Sequence, residues 1–195
     1  MLLVDSLKVL KDVRTERQVV LTTMGSAREW MKLGSHPLDF IYAPSAMGEA
    51  PDVGLGVALA RPEKQVIVCN GDGCMLMNLG CLVTISAAAP PNYVLIVFDN
   101  GVYEVTGAQP TAGALAAREG KDRVDFCAVA KGSGFRAVYE FSRIDDWRNG
   151  VRDVLAATGP TFVVLNVEPV PGGAVPKSPA PPPDRARAFT AALRA

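Results

Sequence analysis

The chain contains a single histidine, and none of its cysteines are paired at the Cys-x-x-Cys spacing of zinc and redox sites. Cys69, Cys74, Cys81 and Cys127 are scattered through apolar segments, the pattern of reduced, mostly buried thiols rather than of metal or redox ligands. The histidine, His36, stands in the turn Gly34-Ser35-His36-Pro37. That is the setting of a surface-loop residue rather than of the proton shuttle histidine often provides. Neither sign of charge dominates. Lys plus Arg number 20 and Asp plus Glu number 20, so nothing in the balance argues for nucleic acid or an anionic membrane surface. No apolar stretch reaches the ~18 residues of a transmembrane helix. The N-terminus lacks the apolar core of a signal peptide. Together these absences imply a soluble, cytoplasmic chain without internal repeats. At 195 residues it has room for one substantial core.

What is present is an alternation of helical and strand patterns, which argues for a parallel sheet covered on both faces. Helical periodicity is expected over 4–16, from Ser26 (a Ser-Ala-Arg-Glu capping pattern) to Gly34, and over 48–60, 76–89, 126–132 and 145–157. Strands are expected over 18–22, 39–42, 66–69, 93–98, 136–139 and 161–167, about six in all. The small residues of 48–60 suit a helix packed close to a sheet or a partner. Residues 107–121, rich in Ala and Gly, are expected as a long loop. The prolines of 169–183 imply an extended arm carrying a short helix over 184–194. That helix is either frayed or docks its Phe189 face on another subunit. The division is thus 1–168 for the main domain and 169–195 for the arm.

Two of the apolar runs end in oxygen ligands. Val66-Ile67-Val68-Cys69 leads to Gly71-Asp72-Gly73, and Tyr93-Val94-Leu95-Ile96-Val97-Phe98 leads to Asp99-Asn100-Gly101. The 26 residues between Gly73 and Asn100 suit one crossover joining two parallel strands. Asp72 and Asn100 are then expected side by side, in the crevice where open α/β sheets bind ligands. A carboxylate and an amide oxygen suit a hard divalent cation such as Mg²⁺. Glycines flanking Asp72 let the backbone approach a diphosphate, with the following helix N-terminus toward the anion.

The segment from Gly71-Asp72-Gly73-Cys74 to Phe98-Asp99-Asn100-Gly101-Val102-Tyr103 resembles the diphosphate-binding motif of thiamine diphosphate (ThDP) enzymes. Pro44-Ser45-Ala46-Met47-Gly48 and the stretch Gly54 to Pro62 resemble the segment preceding that motif. The runs Met75 to Gly80 and Tyr103 to Thr111 are similar to small-subunit sulfopyruvate and phosphonopyruvate decarboxylases. The resemblance spans residues 18–170. It implies the ThDP-binding α/β fold, with ThDP and Mg²⁺ as cofactors.

The resemblance also implies roles. Asp72, the Asn100 side chain and the Val102 carbonyl correspond to metal ligands. Gly71, Gly73, Cys74 and Tyr103 belong to the cofactor-binding loops. Cys74 stands where many members have serine, replacing a hydroxyl donor by a weaker thiol. Thr23 and Ser26 are placed to contact the outer phosphate, or serve as a plain helix cap. Ser45, Met47 and Gly48 lie where the aminopyrimidine is met, with Met47 at the apolar prop of the bent cofactor; alone, Met47 reads as a core methionine. Glu49 and Glu104 are candidate acids without an assigned step, and each equally suits a helix N-terminus. In this family the glutamate that protonates the pyrimidine ring belongs to a separate pyrimidine-binding domain. A chain of one sheet has no room for it.

The implied function is therefore the β subunit of a two-subunit 2-oxoacid decarboxylase, an α2β2 or larger assembly with a pyrimidine-binding α subunit. An acetolactate-synthase-like carboligase subunit and a non-catalytic ThDP-binding regulatory subunit are the alternatives. Nothing in the sequence names the 2-oxoacid.

Overall fold

The chain alternates helix and strand from its start. α1 (Leu3–Val13) leads into β1 (Gln18–Thr23), and α2 (Met24–Met31) into β2 (Asp39–Tyr42). Next come α3 (Ala50–Ala60), β3 (Gln65–Gly71) and two short helices, α4 (Asp72–Met77) and α5 (Cys81–Ala88). After β4 (Tyr93–Asp99) a two-stranded antiparallel ribbon, β5 (Val102–Tyr103) and β6 (Gln109–Pro110), precedes α6 (Ala112–Arg118). The rest is α7 (Phe126–Gly132), β7 (Ala137–Phe141), α8 (Ile144–Ala156), β8 (Thr161–Asn166) and α9 (Pro182–Arg194). This computed structural model describes residues 1–120 and 123–195.

Six strands form one parallel sheet in the order β2-β1-β3-β4-β8-β7. The four central strands are Val- and Ile-rich and buried along nearly their whole length, as parallel strands covered on both faces must be. One face carries α1, α2 and α8, with Leu7, Leu10, Trp30 and Trp147 in its core. The other carries α3, α5 and α7, with Leu55, Leu82, Ile85 and Phe126. The Gly-rich α3 does lie close to the sheet. A Cβ on Gly54 would stand 2.2 Å from Val68 Cγ2, so only glycine permits that approach. β2 lies on one side of β1 and β3 on the other. The order in which strands are added across the sheet therefore reverses between β1 and β3, and the crevice for a ligand opens at their C-terminal ends.

Four local expectations are corrected. The helix expected over 76–89 is two helices, because Asn78 leaves the helical path. Its amide donates to Asp52 Oδ2 (2.7 Å) and to the Gly48 carbonyl (3.3 Å). The helix assigned to start near Ser26 begins at Met24. The capping box is Thr23 with Ser26, and Glu29 accepts instead from Arg28 (2.9 Å) and Lys32 (2.8 Å). The loop expected over 107–121 contains the second ribbon strand, β6, and α6, since an alanine-rich run has high helix propensity; the end of that loop lies outside the described residues.

The fourth correction concerns the tail. Phe189 is buried, and its ring lies 4.8 Å from Phe40 of the edge strand β2. Arg185 stacks over the same Phe40 ring at 5.2 Å and donates to the Ala43 carbonyl. The terminal helix is thus neither frayed nor free to dock elsewhere through Phe189; it covers this chain's own sheet edge. Phe189→Ala is expected to destabilise the chain by about 3 kcal/mol, the low end for a buried Phe truncation. A lower urea midpoint with an unchanged slope is the expected readout. An unchanged midpoint would mean that α9 is not anchored there.

Candidate functional site

The register of β3 on β4 pairs Gly71 with Phe98, so both strands end at the same level. Asp72 and the loop after Asp99 therefore leave the sheet together, and the Gly101 N–H donates to Asp72 Oδ2 at 3.1 Å. A cavity of about 290 Å³ opens here. Thr23, Met24, Gly25 and Ser26 line it from the β1–α2 junction, and Asn70 to Cys74 from β3 and α4. Met47 and Met77 stand at one side, and Asn100 and Val102 to Thr106 close the other.

Of the residues singled out by sequence, the cavity brings together Thr23, Ser26, Met47, Gly71, Asp72, Gly73, Cys74, Asn100, Val102, Tyr103 and Glu104. Ser45 sits one layer out, accepting from Thr23 Oγ1 at 3.0 Å. Gly48 also lies behind the wall. It packs against Cys74 with φ +96°, a left-handed conformation that favours glycine. The Ser26 hydroxyl is committed to backbone, donating to the Cys69 carbonyl at 2.8 Å. Met47 is half-exposed at the cavity mouth and so is no core residue. Glu49 is exposed at the start of α3, outside the cavity. His36 precedes β2, at the opposite end of the sheet. Its Nδ1 accepts from the Leu38 N–H (3.1 Å), which leaves Nε2–H to donate to Glu16 (2.8 Å).

Two lining residues, Met24 and Asn70, and one residue behind the wall, Asp99, were not visible as site residues in the sequence. Met24 has φ +50°, rare for a residue with a Cβ, and such strain concentrates at functional sites. The amide of Asn70 is fully buried at the wall, and neither its nitrogen nor its oxygen has a partner among the described residues. Asp99 lies buried against Asp72 and is also paired to Arg123. Asp99 carried a signal of its own, since it closes an apolar strand just before Asn100.

The electrostatics show what such a site lacks. Burial, reinforced by the nearby Asp99 charge, pushes the Asp72 carboxyl from 3.8 up to about 7, against the backbone N–H groups of Gly73 and Gly101 that hold it down. Asp72 has no cationic side chain bonded to it among the described residues. Two buried carboxylates, an unpartnered amide and backbone that a side chain would block are what a bound cation with an anionic ligand would complete. A Cβ on Gly73 would stand 2.6 Å from the Tyr103 ring, so the ring packs directly on the loop backbone. Burial also raises the Cys74 thiol, which therefore stays neutral.

A raised folded pKa means the folded chain binds its proton more tightly than the unfolded one. Stability without ligand therefore falls as pH rises from about 4 to about 7 and carries the full penalty above 7. Asp72→Asn, measured by urea unfolding in chelator, is expected to be the more stable chain at pH 8, by up to about 4 kcal/mol, and to lose that advantage near pH 4. Equal stabilities at pH 8 would mean that the buried charge is not crowded.

The sequence profile described as "Thiamine pyrophosphate enzyme, C-terminal TPP binding domain" matches residues 21–165. The phosphonopyruvate decarboxylase of Streptomyces viridochromogenes is 41% identical over 162 residues, 83% of this chain and 38% of that protein. The sulfopyruvate decarboxylase subunit beta of Methanothermobacter thermautotrophicus is 37% identical over 155 residues, 79% of this chain and 76% of that one. The chain thus spans about two-fifths of the phosphonopyruvate decarboxylases it matches but most of the beta subunit. An X-ray structure described as a thiamin diphosphate-dependent enzyme from Mycobacterium smegmatis superposes with a TM-score of 0.70 at 20% identity. It covers 87% of this chain and 32% of that chain, a likeness of fold.

Proposed function

The chain belongs to the thiamine pyrophosphate enzymes, as a C-terminal TPP-binding domain, and from that premise we propose that it is the diphosphate-binding β subunit of a ThDP- and Mg²⁺-dependent 2-oxoacid decarboxylase. The observation that carries this is the meeting of Asp72 and Asn100 at the ends of β3 and β4, with no cationic side chain bonded to the buried Asp72 among the described residues. Asp72 and Asn100 side-chain oxygens and the Val102 carbonyl would hold the cation. No group of three or more His, Cys, Asp or Glu that could hold a metal occurs among the described residues, so the rest of a hard ion's shell falls to diphosphate and water. Residues 1–168 are the binding domain and 169–195 its strap.

ThDP, when bound, supplies the electron sink for loss of CO₂. This chain's part is to bind and orient. The Gly71–Cys74 backbone would meet the diphosphate, and Met47 would support the cofactor from the cavity mouth. The apolar surroundings of Leu3, Phe98 and Val167 would limit water. Glu104 supplies no free acid, because its carboxylate already accepts from Arg28, Asn100 and the Val170 N–H. The carboxylate for the pyrimidine ring would come from a partner chain. Exposed Met47, Met77, Leu59 and Val83, beside the cavity and on the neighbouring helices α3 and α5, support such an apolar interface.

No helix among the described residues is long and apolar enough to cross a membrane. The substrate class proposed is a 2-oxoacid with an anionic tail, after the sulfonate and phosphonate named for the relatives. Co-expression with the neighbouring open reading frame, then CO₂ release across a 2-oxoacid panel, tests it. The expected outcome is activity only in the complex and greatest on phosphonopyruvate or sulfopyruvate. Full activity of this chain alone, or acetolactate-type condensation as the main product, would refute it.

A further inference from the structure

Asn100 can place either its oxygen or its nitrogen toward a cation, and only the oxygen is useful. Its two nearest partners decide which. The amide nitrogen donates to Glu104 Oε1 at 2.8 Å, and the amide oxygen accepts from the Val102 N–H at 2.9 Å. A carboxylate only accepts and a backbone N–H only donates, so both neighbours select the same orientation. The oxygen keeps a second lone pair.

We propose that Glu104 is the positioning residue of the metal loop, holding the Asn100 oxygen free for the cation. This rests on the reading of Asn100 as a ligand. The Glu104 carboxylate is itself fixed by two further donors. Arg28 Nη2 donates to Oε2 at 3.0 Å, and the Val170 N–H donates to Oε1 at 2.8 Å. Its side chain is only 6% exposed. Gly25 and Gly173 press on it; a Cβ on either would stand 3.2 or 3.0 Å from Oε2. Arg28 also holds the Ala174 carbonyl at 3.2 Å. The strap after β8 is thus tied to the same carboxylate that orients Asn100. Outer partners of metal ligands commonly set metal affinity by 10- to 100-fold.

The test is a Mn²⁺ titration of the full chain with ThDP, followed by the electron paramagnetic resonance of free Mn²⁺. The variants are E104A, E104Q, N100A, D72A and the double variants N100A/E104A and N100A/E104Q. E104A is expected to weaken Mn²⁺ binding about 10- to 100-fold. E104Q, which can still accept but no longer dictates the orientation, should fall between. In the N100A background, removing Glu104 should cost nothing further, because there is no amide left to orient. A merely structural Glu104 would weaken both backgrounds alike; that result, or wild-type affinity in E104A, overturns the proposal. Should E104A fail to fold, E104Q compared in the two backgrounds separates the same two outcomes. Failure of the underlying reading looks different: D72A and N100A would then bind Mn²⁺ like the wild type, or the wild type would not bind it at all.

Discussion

Asp72→Ala abolishes Mg²⁺-dependent ThDP binding, an expected loss of well over 100-fold. Even partners outside the coordination shell are worth up to about that much. Asp72 is the charged member of the proposed ligand set; Asn100 and the Val102 carbonyl are neutral. Its loss leaves no anionic protein ligand in that set to hold Mg²⁺ against water. The fold should not suffer. Burial and the neighbouring Asp99 make the ionised Asp72 unfavourable in the ligand-free chain, so its removal relieves crowding. Calorimetric titration with ThDP and Mg²⁺, beside a urea curve of the variant, separates the two effects. Unchanged affinity would sink the metal assignment.

The second large effect is expected at Met47. Met47→Ala in the reconstituted complex should lower turnover by ~10²-fold while ThDP affinity changes little, because misplacing a reacting group by an ångström costs on that scale. The residue is 48% exposed, so its truncation removes little core and stability should hold. Parallel losses of affinity and turnover would instead make Met47 a general binding contact.

The fold was legible because its main signal is strong. Strands buried on both faces must be apolar throughout, and the runs before Asp72 and Asn100 are. The place of the site followed from topology, since parallel neighbours end on one side. What escaped were features set by distant contacts. The break between α4 and α5 depends on Asn78 reaching Asp52 and Gly48, partners 26 and 30 residues away. The seat of Phe189 depends on Phe40, which no local pattern joins to it. Glu104 looked like a possible acid or cap, and only its bonds to Arg28, Asn100 and Val170 show where its carboxylate is spent. Met24 has no sequence signature for its left-handed backbone.

The central claim is that one cation joins ThDP to the ends of β3 and β4. An anomalous difference map from crystals of the chain grown with ThDP and Mn²⁺ tests it most directly. The expected result is one strong peak within bonding distance of the Asp72 carboxylate and the Asn100 amide oxygen, continuous with diphosphate density over Gly73. A peak elsewhere, for instance in the polar cavity beside Arg123 and Glu140, or ThDP bound with no metal at Asp72, would contradict it.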